Sequence, residues 1–308
     1  MKIVFLDASV MGEMPLEPIE ALGGLVCWPT STREEALQRV GDCEVLIINK
    51  IIINDELLDA APKLRLVCEA ATGVNNIDLE ACARRGILVR NVAGYSTEPV
   101  VQQTFMHILS LIGKGPYFDE LVKSGAYSRS PIFTDLSRSF NEIDGMVMGI
   151  IGMGTIGQRV ATVAKAFGMK VIYYSTSGTS HCKDYPSVPL EELLRESDVV
   201  SIHCPLNERT KGLIGAEQLA MMQPSAIIVN MGRGGIVDEK ALAEAIDAEE
   251  IAGAAADVFS TEPIPADNPL LHTRFPDRLR FTPHLAWASV EARKRLVARI
   301  ADNIRKGW

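Results

Sequence analysis

Three polar side chains that can carry acid–base chemistry follow successive predicted strands in the second half of the sequence: Arg233, Glu262 and His284. Taken alone, each is an ordinary loop residue. Together they form a set, because a carboxylate that binds one imidazole nitrogen fixes the tautomer and leaves the other nitrogen able to donate a proton near neutral pH. A guanidinium beside them binds a carboxylate through two parallel hydrogen bonds. The three positions therefore predict a site that holds a small acid and protonates it.

A glycine-rich turn lies near the middle of the chain. The apolar stretch 146–151 is followed by Gly152, Gly154 and Gly157 at the spacing G-x-G-x-x-G, and residues 158–167 have a helical pattern. The first glycine makes the tight turn, the second lets the backbone approach phosphates, and the third lets helix and strand pack closely. The helix N-terminus then offers free N–H groups and the positive end of its dipole to an anion. The motif predicts a dinucleotide site.

With a nicotinamide nearby, the three strand-end side chains suit the reduction of a 2-keto acid. Arg233 would anchor the substrate carboxylate and polarise the adjacent carbonyl, while His284 would protonate the carbonyl oxygen. Glu262 would stabilise the imidazolium. His203, which also follows a predicted strand, is interpreted as a wall of the cofactor site.

The strand after the glycine-rich helix ends at Ser175, where an NAD-selective site usually carries an acid that binds the ribose 2′-hydroxyl and repels a 2′-phosphate. That acid is missing. No arginine replaces it nearby in the sequence, and the nearest positive candidates are His181 and Lys183. The hydroxyls of Ser175, Thr176 and Ser177 could bind either form. We therefore expect NAD or NADP as cofactor, with weak discrimination between them.

Strands and helices alternate along both halves of the chain. In the first half, the predicted strands are 2–6, 45–48, 64–68 and 87–89, and the predicted helices are 15–23, 33–40, 54–60 and 78–84. After the glycine-rich turn, the predicted strands are 170–174, 198–202, 226–230, 252–256 and 280–282, and the predicted helices are 189–195, 215–221 and 238–247. This alternation predicts an α/β fold of two Rossmann-like domains, with doubly wound parallel sheets and a cleft between them.

The predicted domains are a flavodoxin-like, substrate-binding domain of residues 1–98 plus 284–308 and a dinucleotide-binding Rossmann domain of residues 99–283. The final helix, 287–306, is expected to return to the first domain, with its basic residues on a solvated face. Residues 100–112 are nearly all apolar and predict a buried helix. Residues 113–145 are polar and glycine-rich yet carry several aromatic residues, which predicts an arm that wraps a partner subunit, or else one that packs on its own domain.

The composition is that of a globular protein large enough for two domains, with 308 residues, 47% of them hydrophobic and 23% charged. A net charge of −8 argues against a nucleic-acid or membrane partner. No apolar run reaches membrane-spanning length, and the N-terminal run is too short for a signal peptide. The six cysteines lack disulfide or zinc-site spacing, so we expect reduced thiols in a cytoplasmic protein without a metal.

Taken together, these motifs resemble the D-isomer-specific 2-hydroxyacid dehydrogenases over nearly the whole chain. The segments that carry the resemblance are 152–157, 203–206, 230–238, 257–263 and 282–284. Within that family, segments 70–78, 91–98 and 284–289 are most similar to the glycerate dehydrogenase/hydroxypyruvate reductase branch.

The resemblance implies that Arg233 binds the substrate carboxylate, that Glu262 and His284 form the acid–base pair, and that backbone N–H groups around 72–75 complete the carboxylate site. It also implies a homodimer built on the nucleotide domain. The predicted substrate-binding residues are Thr72, Gly73, Val74, Asn75, Arg233, His284 and Trp287. The predicted cofactor-binding residues are Gly152, Gly154, Thr155, Ile156, Gly157, Ser175, Thr176, His203, Pro205, Thr210, Asn230, Met231, Asp257 and Thr104.

The leading hypothesis is NAD(P)H-dependent reduction of a small 2-keto acid, of the hydroxypyruvate or glyoxylate type, to the D-2-hydroxy acid, together with the reverse oxidation. A cofactor-sensing corepressor on the same fold is an alternative, because it could retain the same residues. A phosphoglycerate dehydrogenase is another, although the chain stops at Trp308 and we expect no C-terminal regulatory domain. Formate or phosphite oxidation is a further alternative, but Glu262 beside His284 counts against formate.

Overall fold

The computed structural model describes residues 1–179 and 182–308. The chain divides into two compact units, one of residues 1–96 with 288–308 and the other of residues 97–287. These boundaries differ from the predicted ones, because residues 97–98 and 284–287 belong to the second unit. His284 therefore lies in the same unit as Arg233 and Glu262.

The first unit contains one five-stranded parallel sheet. Its strands are β1 (Lys2–Phe5), β2 (Gly24–Cys27), β3 (Val45–Ile48), β4 (Leu66–Glu69) and β5 (Leu88–Arg90). They lie in the order β2-β1-β3-β4-β5. The central strands β3 and β4 are buried at every residue, as expected where both faces of a parallel sheet are covered. The chain leads from β1 to β2 on one side of β1 and then crosses back to β3 on the other side. The carboxyl ends of β1 and β3 therefore form a topological switch point.

The helices α1 (Glu17–Glu20), α2 (Arg33–Val40), α3 (Asp55–Asp59) and α4 (Leu79–Arg84) connect these strands. Thr32, Asn54 and Asp78 cap the last three, since each side chain accepts a backbone N–H of the first turn. β2 was not predicted from the sequence, because the helix predicted over residues 15–23 extended almost to its first residue. In the structure α1 ends at Glu20, and Gly23 passes so close to the N-terminus that an added Cβ would lie 2.4 Å from the carbonyl oxygen of Met1.

The second unit contains one six-stranded parallel sheet. Its strands are β6 (Val147–Ile151), β7 (Lys170–Tyr174), β8 (Val199–Ile202), β9 (Ile227–Asn230), β10 (Gly253–Ala256) and β11 (Leu279–Phe281). They lie in the order β11-β10-β9-β8-β6-β7. The chain leaves β6 toward β7 and crosses back to β8, so the switch point lies between β6 and β8. Ligands of doubly wound sheets bind outside the carboxyl ends of strands at such a point.

Helices α5 (Thr97–Ile112), α6 (Gly115–Lys123), α7 (Thr155–Ala166), α8 (Leu190–Glu196), α9 (Ala216–Ala220) and α10 (Glu239–Asp247) belong to this unit. Strand residues alternate between two apolar clusters, with Val199 and Ile227 in one and Val200 and Ile228 in the other. Because side chains alternate across a strand, both faces of the sheet are covered. The fold class predicted from the sequence, α/β with two parallel sheets, is confirmed.

The last helix, α11 (Val290–Arg305), packs in the first unit, as predicted for a returning helix. Its basic residues were predicted to be solvated, and this was wrong for several of them. Arg293 donates to the carbonyl of Met11, and Arg295 donates to the carbonyl of Tyr95 at 3.1 Å. These guanidinium groups satisfy backbone acceptors of the unit to which the helix returns.

No disulfide joins any of the six cysteines, all of which lie within the described residues, and five of them are buried. Burial raises the pKa of Cys43 and Cys68 to about 12, so neither forms a thiolate near neutral pH. None of the helices within residues 1–179 and 182–308 is long and apolar enough to cross a bilayer.

Candidate active site

The glycine-rich turn between β6 and α7 has the geometry that its motif requires. Gly152 has a φ of +96°, and a Cβ there would lie 2.7 Å from the backbone nitrogen of Cys204. A Cβ at Gly157 would lie 2.2 Å from the carbonyl oxygen of Gly152. Both positions therefore need glycine, one for the turn and one for close helix–strand packing. At Gly154, which is exposed, an added Cβ would meet nothing within 4 Å, so the turn is open on that side.

The first turn of α7 is suited to an anion. Gly154 is its N-cap and offers no capping side chain, and the residues that follow, beginning with Thr155 and Ile156, include no acid in the first turn. The first N–H groups of a helix have no intrahelical partners, and the helix dipole favours negative charge there. The residues present therefore fit the pyrophosphate of a dinucleotide.

The turn after β7 is rich in hydroxyl groups. Ser175 Oγ donates to the carbonyl of Thr179 at 2.6 Å and lies 3.1 Å from Ser177 Oγ, while Thr176 is partly exposed between them. His181, one of the two positive candidates from the sequence, lies outside the described residues. The structure instead brings an arginine that the sequence did not suggest, because Arg209 Nη1 donates to the carbonyl of Ser177 at 2.9 Å.

The turn after β8 carries His203 and Pro205. His203 Nε2 lies 2.8 Å from Ser201 Oγ, and burial lowers the pKa of the imidazole to about 3. The ring therefore stays neutral at physiological pH and is not an acid–base group. Pro205 is exposed at the carboxyl end of the strand, next to the switch point. The interpretation of His203 as a wall of the cofactor site stays a prediction.

Thr104 and Thr210 were predicted to bind the cofactor, and here the structure differs. Both are fully buried. Thr210 Oγ1 donates to the carbonyl of Pro205 at 2.7 Å and accepts the N–H of Asn207, while Thr104 Oγ1 donates to the carbonyl of Val100. A side chain without exposed surface cannot touch a ligand, so Thr210 shapes its turn and Thr104 packs inside α5.

Arg233 lies on a tight turn directly after β9. The buried Asn230 holds this turn from both sides, because its Nδ2 donates to the carbonyl of Arg233 and its Oδ1 accepts the N–H of Gly232. Met231 is also buried, so both residues act mainly as supports. The guanidinium of Arg233 is partly exposed and donates from Nη1 to the carbonyl of Gly232 at 2.8 Å. The turn thus presents the cation at the carboxyl edge of the sheet.

Glu262 and His284 form the predicted pair. His284 Nδ1 lies 2.7 Å from Glu262 Oε2, and each side chain keeps about a quarter of its surface exposed. The other carboxylate oxygen of Glu262 accepts the N–H of Phe259 at 3.1 Å, which orients the group. A Cβ on Gly234 would lie 1.8 Å from the carbonyl oxygen of Phe259, so the turn that bears Arg233 passes against the loop that bears Glu262. With Nδ1–H assigned to the carboxylate, Nε2 is the nitrogen that can exchange a proton with a ligand.

Asp257 holds the loop that carries His284. Its Oδ1 accepts the hydroxyl of Thr282 at 2.6 Å and the N–H of Leu285, and its Oδ2 accepts the N–H of Ala286. His284 itself has a φ of +52°, an unusual backbone conformation that the surroundings must impose. Burial raises the pKa of Asp257, and these hydrogen bonds oppose that effect. In the structure Asp257 positions this loop, and the cofactor contact that the sequence predicted for it stays a prediction.

Thr282 and His107 extend this network, and the sequence gave no signal for either role. His107 Nε2 lies 3.2 Å from Thr282 Oγ1, whose proton is directed at Asp257. Burial lowers the pKa of His107 to about 4, so its ring is neutral. It supports the loop from inside α5.

Comparison with known proteins identifies the family. Residues 105–286 match the family model described as D-isomer specific 2-hydroxyacid dehydrogenase, NAD binding domain. The chain belongs to this family. A hydroxypyruvate reductase of Blautia hydrogenotrophica is 35% identical over 99% of this chain and 96% of its own length, and a glyoxylate reductase of Aeropyrum pernix is 41% identical over 82% and 76%. The solved structure of an acyclic imino acid reductase with NADPH and D-Arg has a TM-score of 0.88 at 29% identity, covering 99% of this chain and 96% of that one.

As a D-2-hydroxyacid dehydrogenase, the protein is an oxidoreductase that works with a nicotinamide cofactor. The match covers most of the second unit, which contains the glycine-rich turn, Arg233, Glu262 and His284. The family membership predicted from the sequence motifs is therefore confirmed.

The predicted substrate residues of the dehydrogenase fall in both units. Thr72 to Asn75 form a loop of the first unit shortly after the carboxyl end of β4. Thr72 anchors this loop, because its Oγ1 donates to the carbonyl of Val92 at 3.1 Å and its own carbonyl accepts from Asn91. Gly73 and Val74 are partly exposed, and Thr72 and Asn75 are exposed. Trp287 is partly buried at the last position of the second unit.

Proposed function

We propose that this dehydrogenase reduces a small 2-keto acid, of the hydroxypyruvate or glyoxylate type, to the D-2-hydroxy acid, and catalyses the reverse oxidation. The observation that carries the proposal is the 2.7 Å contact between His284 Nδ1 and Glu262 Oε2. The loop that bears Glu262 passes against the turn that bears Arg233. The names of the relatives, hydroxypyruvate reductase and glyoxylate reductase, support the substrate class.

Each side chain has one task in this proposal. Arg233 binds the substrate carboxylate, which orients the keto group. His284 donates the Nε2 proton to the carbonyl oxygen as negative charge develops there, and Glu262 stabilises the imidazolium that precedes the transfer. The nicotinamide, when bound, supplies the hydride. In the oxidative direction His284 accepts the hydroxyl proton.

The cofactor would be held chiefly by the open side of the glycine-rich turn. Gly154, Thr155 and Ile156 would bind the pyrophosphate through the helix N-terminus, and Ser175 with Thr176 would face the adenosine ribose.

The test is a panel of 2-keto acids assayed with NADH and with NADPH. We expect hydroxypyruvate and glyoxylate to be reduced with the highest kcat/KM, and larger or phosphorylated acids to be reduced poorly. Activity confined to 3-phosphohydroxypyruvate would favour the phosphoglycerate dehydrogenase alternative. No reduction of any keto acid, with the cofactor nevertheless bound, would favour the corepressor-type alternative and end the enzymatic proposal for these substrates.

We further propose that the dehydrogenase is a cytoplasmic homodimer assembled through the second unit. The segment 113–145 exposes Phe133 at 90% and Leu136 at 81% of their surface, with Phe140 at 62%. Apolar groups at this exposure are unfavourable in water and mark an interaction surface. Cysteines that form no disulfide among the described residues are compatible with a reducing compartment.

A further inference from the structure

The residue that follows β7 sets cofactor preference in dinucleotide-binding domains. An acid there binds the free ribose 2′-hydroxyl, whereas a nearby arginine accommodates a 2′-phosphate. Ser175 occupies that position, and the rest of the turn is Thr176, Ser177, Gly178 and Thr179. No residue of the turn carries a negative charge that would repel a phosphate. The turn itself supplies hydroxyl groups but no cation.

The cation comes from a different strand. Arg209 belongs to the turn after β8, and its backbone N–H donates to Asn207 Oδ1 at 2.9 Å, which fixes its starting point. Its Nη1 donates to the carbonyl of Ser177 at 2.9 Å. Because β7 and β8 lie on either side of β6, the side chain reaches over the carboxyl end of the strand that leads into the glycine-rich turn. Arg209 thereby joins the two turns that flank the switch point.

The guanidinium of Arg209 has unused N–H donors and a charge that no carboxylate among the described residues neutralises. Its side chain is exposed, and within residues 1–179 and 182–308 it has no carboxylate partner at ion-pair distance. One Nη1 hydrogen is used on Ser177, and a guanidinium carries five N–H donors in a planar fork that matches a phosphate. The contact with Ser177 holds the guanidinium against the turn that carries the hydroxyls of Ser175 and Thr176, and a backbone carbonyl does not neutralise its charge.

We propose that Arg209, together with the hydroxyls of Ser175 and Thr176, binds the 2′-phosphate of the cofactor, so that the dehydrogenase prefers NADPH. This inference deepens the proposed function and rests on the assignment of the glycine-rich turn as the dinucleotide site. It replaces the expectation of weak discrimination, which considered only cations close to Ser175 in the sequence. A charged hydrogen-bonded pair with phosphate is among the strongest contacts that a side chain makes.

The decisive measurement is binding rather than turnover. Adenosine 2′,5′-bisphosphate and adenosine 5′-monophosphate differ only in the 2′-phosphate, and calorimetry of the whole protein gives the Kd of each. We expect the bisphosphate to bind at least about tenfold more tightly, and NADPH to bind more tightly than NADH by a similar factor. Arg209→Ala should weaken the bisphosphate and NADPH about tenfold or more, and NADH by no more than about threefold. Raising the salt concentration should weaken the bisphosphate more than the monophosphate.

The matched control is Arg195→Ala, which removes an exposed arginine of the same unit that pairs with Glu191 on α8. We expect no change in either Kd. Arg209→Lys, which keeps the charge but loses the planar fork, should fall between wild type and Arg209→Ala. Equal binding of the two adenosine nucleotides by the wild-type protein would overturn the inference while leaving the proposed function intact. So would an equal loss for NADH and NADPH in Arg209→Ala. Failure of both nucleotides and both cofactors to bind would instead overturn the proposed dinucleotide site itself.

Discussion

At the scale of single residues, the proposed chemistry depends on which ring nitrogen of His284 binds the carboxylate of Glu262. Glu262 takes Nδ1 of His284 at 2.7 Å, and the second oxygen of Glu262 is held by the N–H of Phe259. The carboxylate therefore cannot turn away from the ring without losing a second hydrogen bond. This leaves Nε2 as the proton donor.

Replacing His284 by alanine should remove that donor. We expect kcat for 2-keto acid reduction to fall by about 10²–10⁴, the usual contribution of a positioned general acid. The Kd of the cofactor should be almost unchanged, because the glycine-rich turn is untouched. Steady-state kinetics and a fluorescence titration of the reduced cofactor measure the two quantities.

The control for this variant is His272→Ala, which removes an exposed histidine whose Nε2 contacts only the carbonyl of Ala266 among the described residues. It should leave kcat intact. Near-full turnover of the His284 variant would show that another group protonates the carbonyl oxygen.

The residues that could be predicted from the sequence are those that follow their own strand within a few positions. Arg233, Glu262 and His284 belong to this class, because the carboxyl ends of parallel strands meet at one edge. Arg209 does not, since its role depends on a side chain that spans between two turns far apart in the chain. The support that His107 gives to Thr282 is likewise invisible, because no local pattern links α5 to the loop after β11.

At the scale of elements, the buried strands and the helices with a buried face were predictable, and the exposed elements were not. β3 lies where the sequence predicted it, and β7 matches residue for residue. β2 is an edge strand of four residues with little burial, so it has no alternating or continuous apolar pattern. α6 begins at a Gly-Pro pair that resembles a turn, although proline is well tolerated in the first turn of a helix.

We expect the conformation of the whole loop that bears His284 to depend on Asp257. Asp257→Ala removes the acceptor for Thr282, Leu285 and Ala286 together and leaves three donors unpaired. We expect a loss of stability of roughly 2–4 kcal/mol and a fall in kcat of about tenfold or more, because an unpaired buried donor costs ~1–3 kcal/mol and the imposed conformation of His284 would relax. Thermal unfolding and kinetics of the same sample test both.

The control for this variant is Ser260→Ala, which alters an exposed side chain three residues after Asp257 and should change neither quantity. A variant of Asp257 that is destabilised yet turns over normally would mean that the loop keeps His284 in place by other contacts.

The proposal of a homodimer depends on the arm of residues 113–145. If it covers a second copy of the chain, replacing Phe133 and Leu136 together by serine should convert a dimer to a monomer, because stable interfaces concentrate their energy in a few buried apolar anchors. Light scattering at micromolar concentration measures the mass. Leu271→Ser, an exposed leucine outside the arm, is the control and should leave the mass unchanged. A wild-type protein that is monomeric at these concentrations would contradict the proposal.

At the scale of the whole molecule, the two units share one feature. In each, a parallel sheet covered on both faces carries polar side chains at the carboxyl ends of its strands. In the second unit that edge carries the acid–base pair. In the first unit it carries two buried carboxyl groups, Asp7 after β1 and Glu69 at the end of β4. Asp7 accepts the N–H groups of Asn49 and Lys50, whereas Glu69 accepts only Asn76 Nδ2 at one oxygen, and its other oxygen has no partner among the described residues.

Glu69 makes the stability of the first unit depend on pH in an unusual direction. Burial, more than the nearby charge of Asp7, raises its pKa from 4.5 to about 8, while the hydrogen bond from Asn76 opposes the rise. The folded chain then binds this proton more tightly than the unfolded chain. The stabilisation is complete below pH 4.5 and is lost as the pH rises through 8. Glu69→Gln stays neutral throughout, so we expect the wild-type protein to lose on the order of 2–4 kcal/mol more than this variant between pH 5 and 9.

Urea unfolding at these two pH values, followed by the fluorescence of Trp28 in the same unit, measures that difference. Variants that replace Trp287 and Trp308 with phenylalanine isolate the signal of Trp28, and Glu13→Gln supplies an exposed glutamate of the same unit as the control. The control should follow the wild type at both pH values, because Glu13 is exposed and its replacement leaves the buried Glu69 in place. Parallel pH dependence of the wild type and Glu69→Gln would mean that Glu69 is ionised in the folded protein, with its charge compensated by solvent or by a movement of Lys50 toward it.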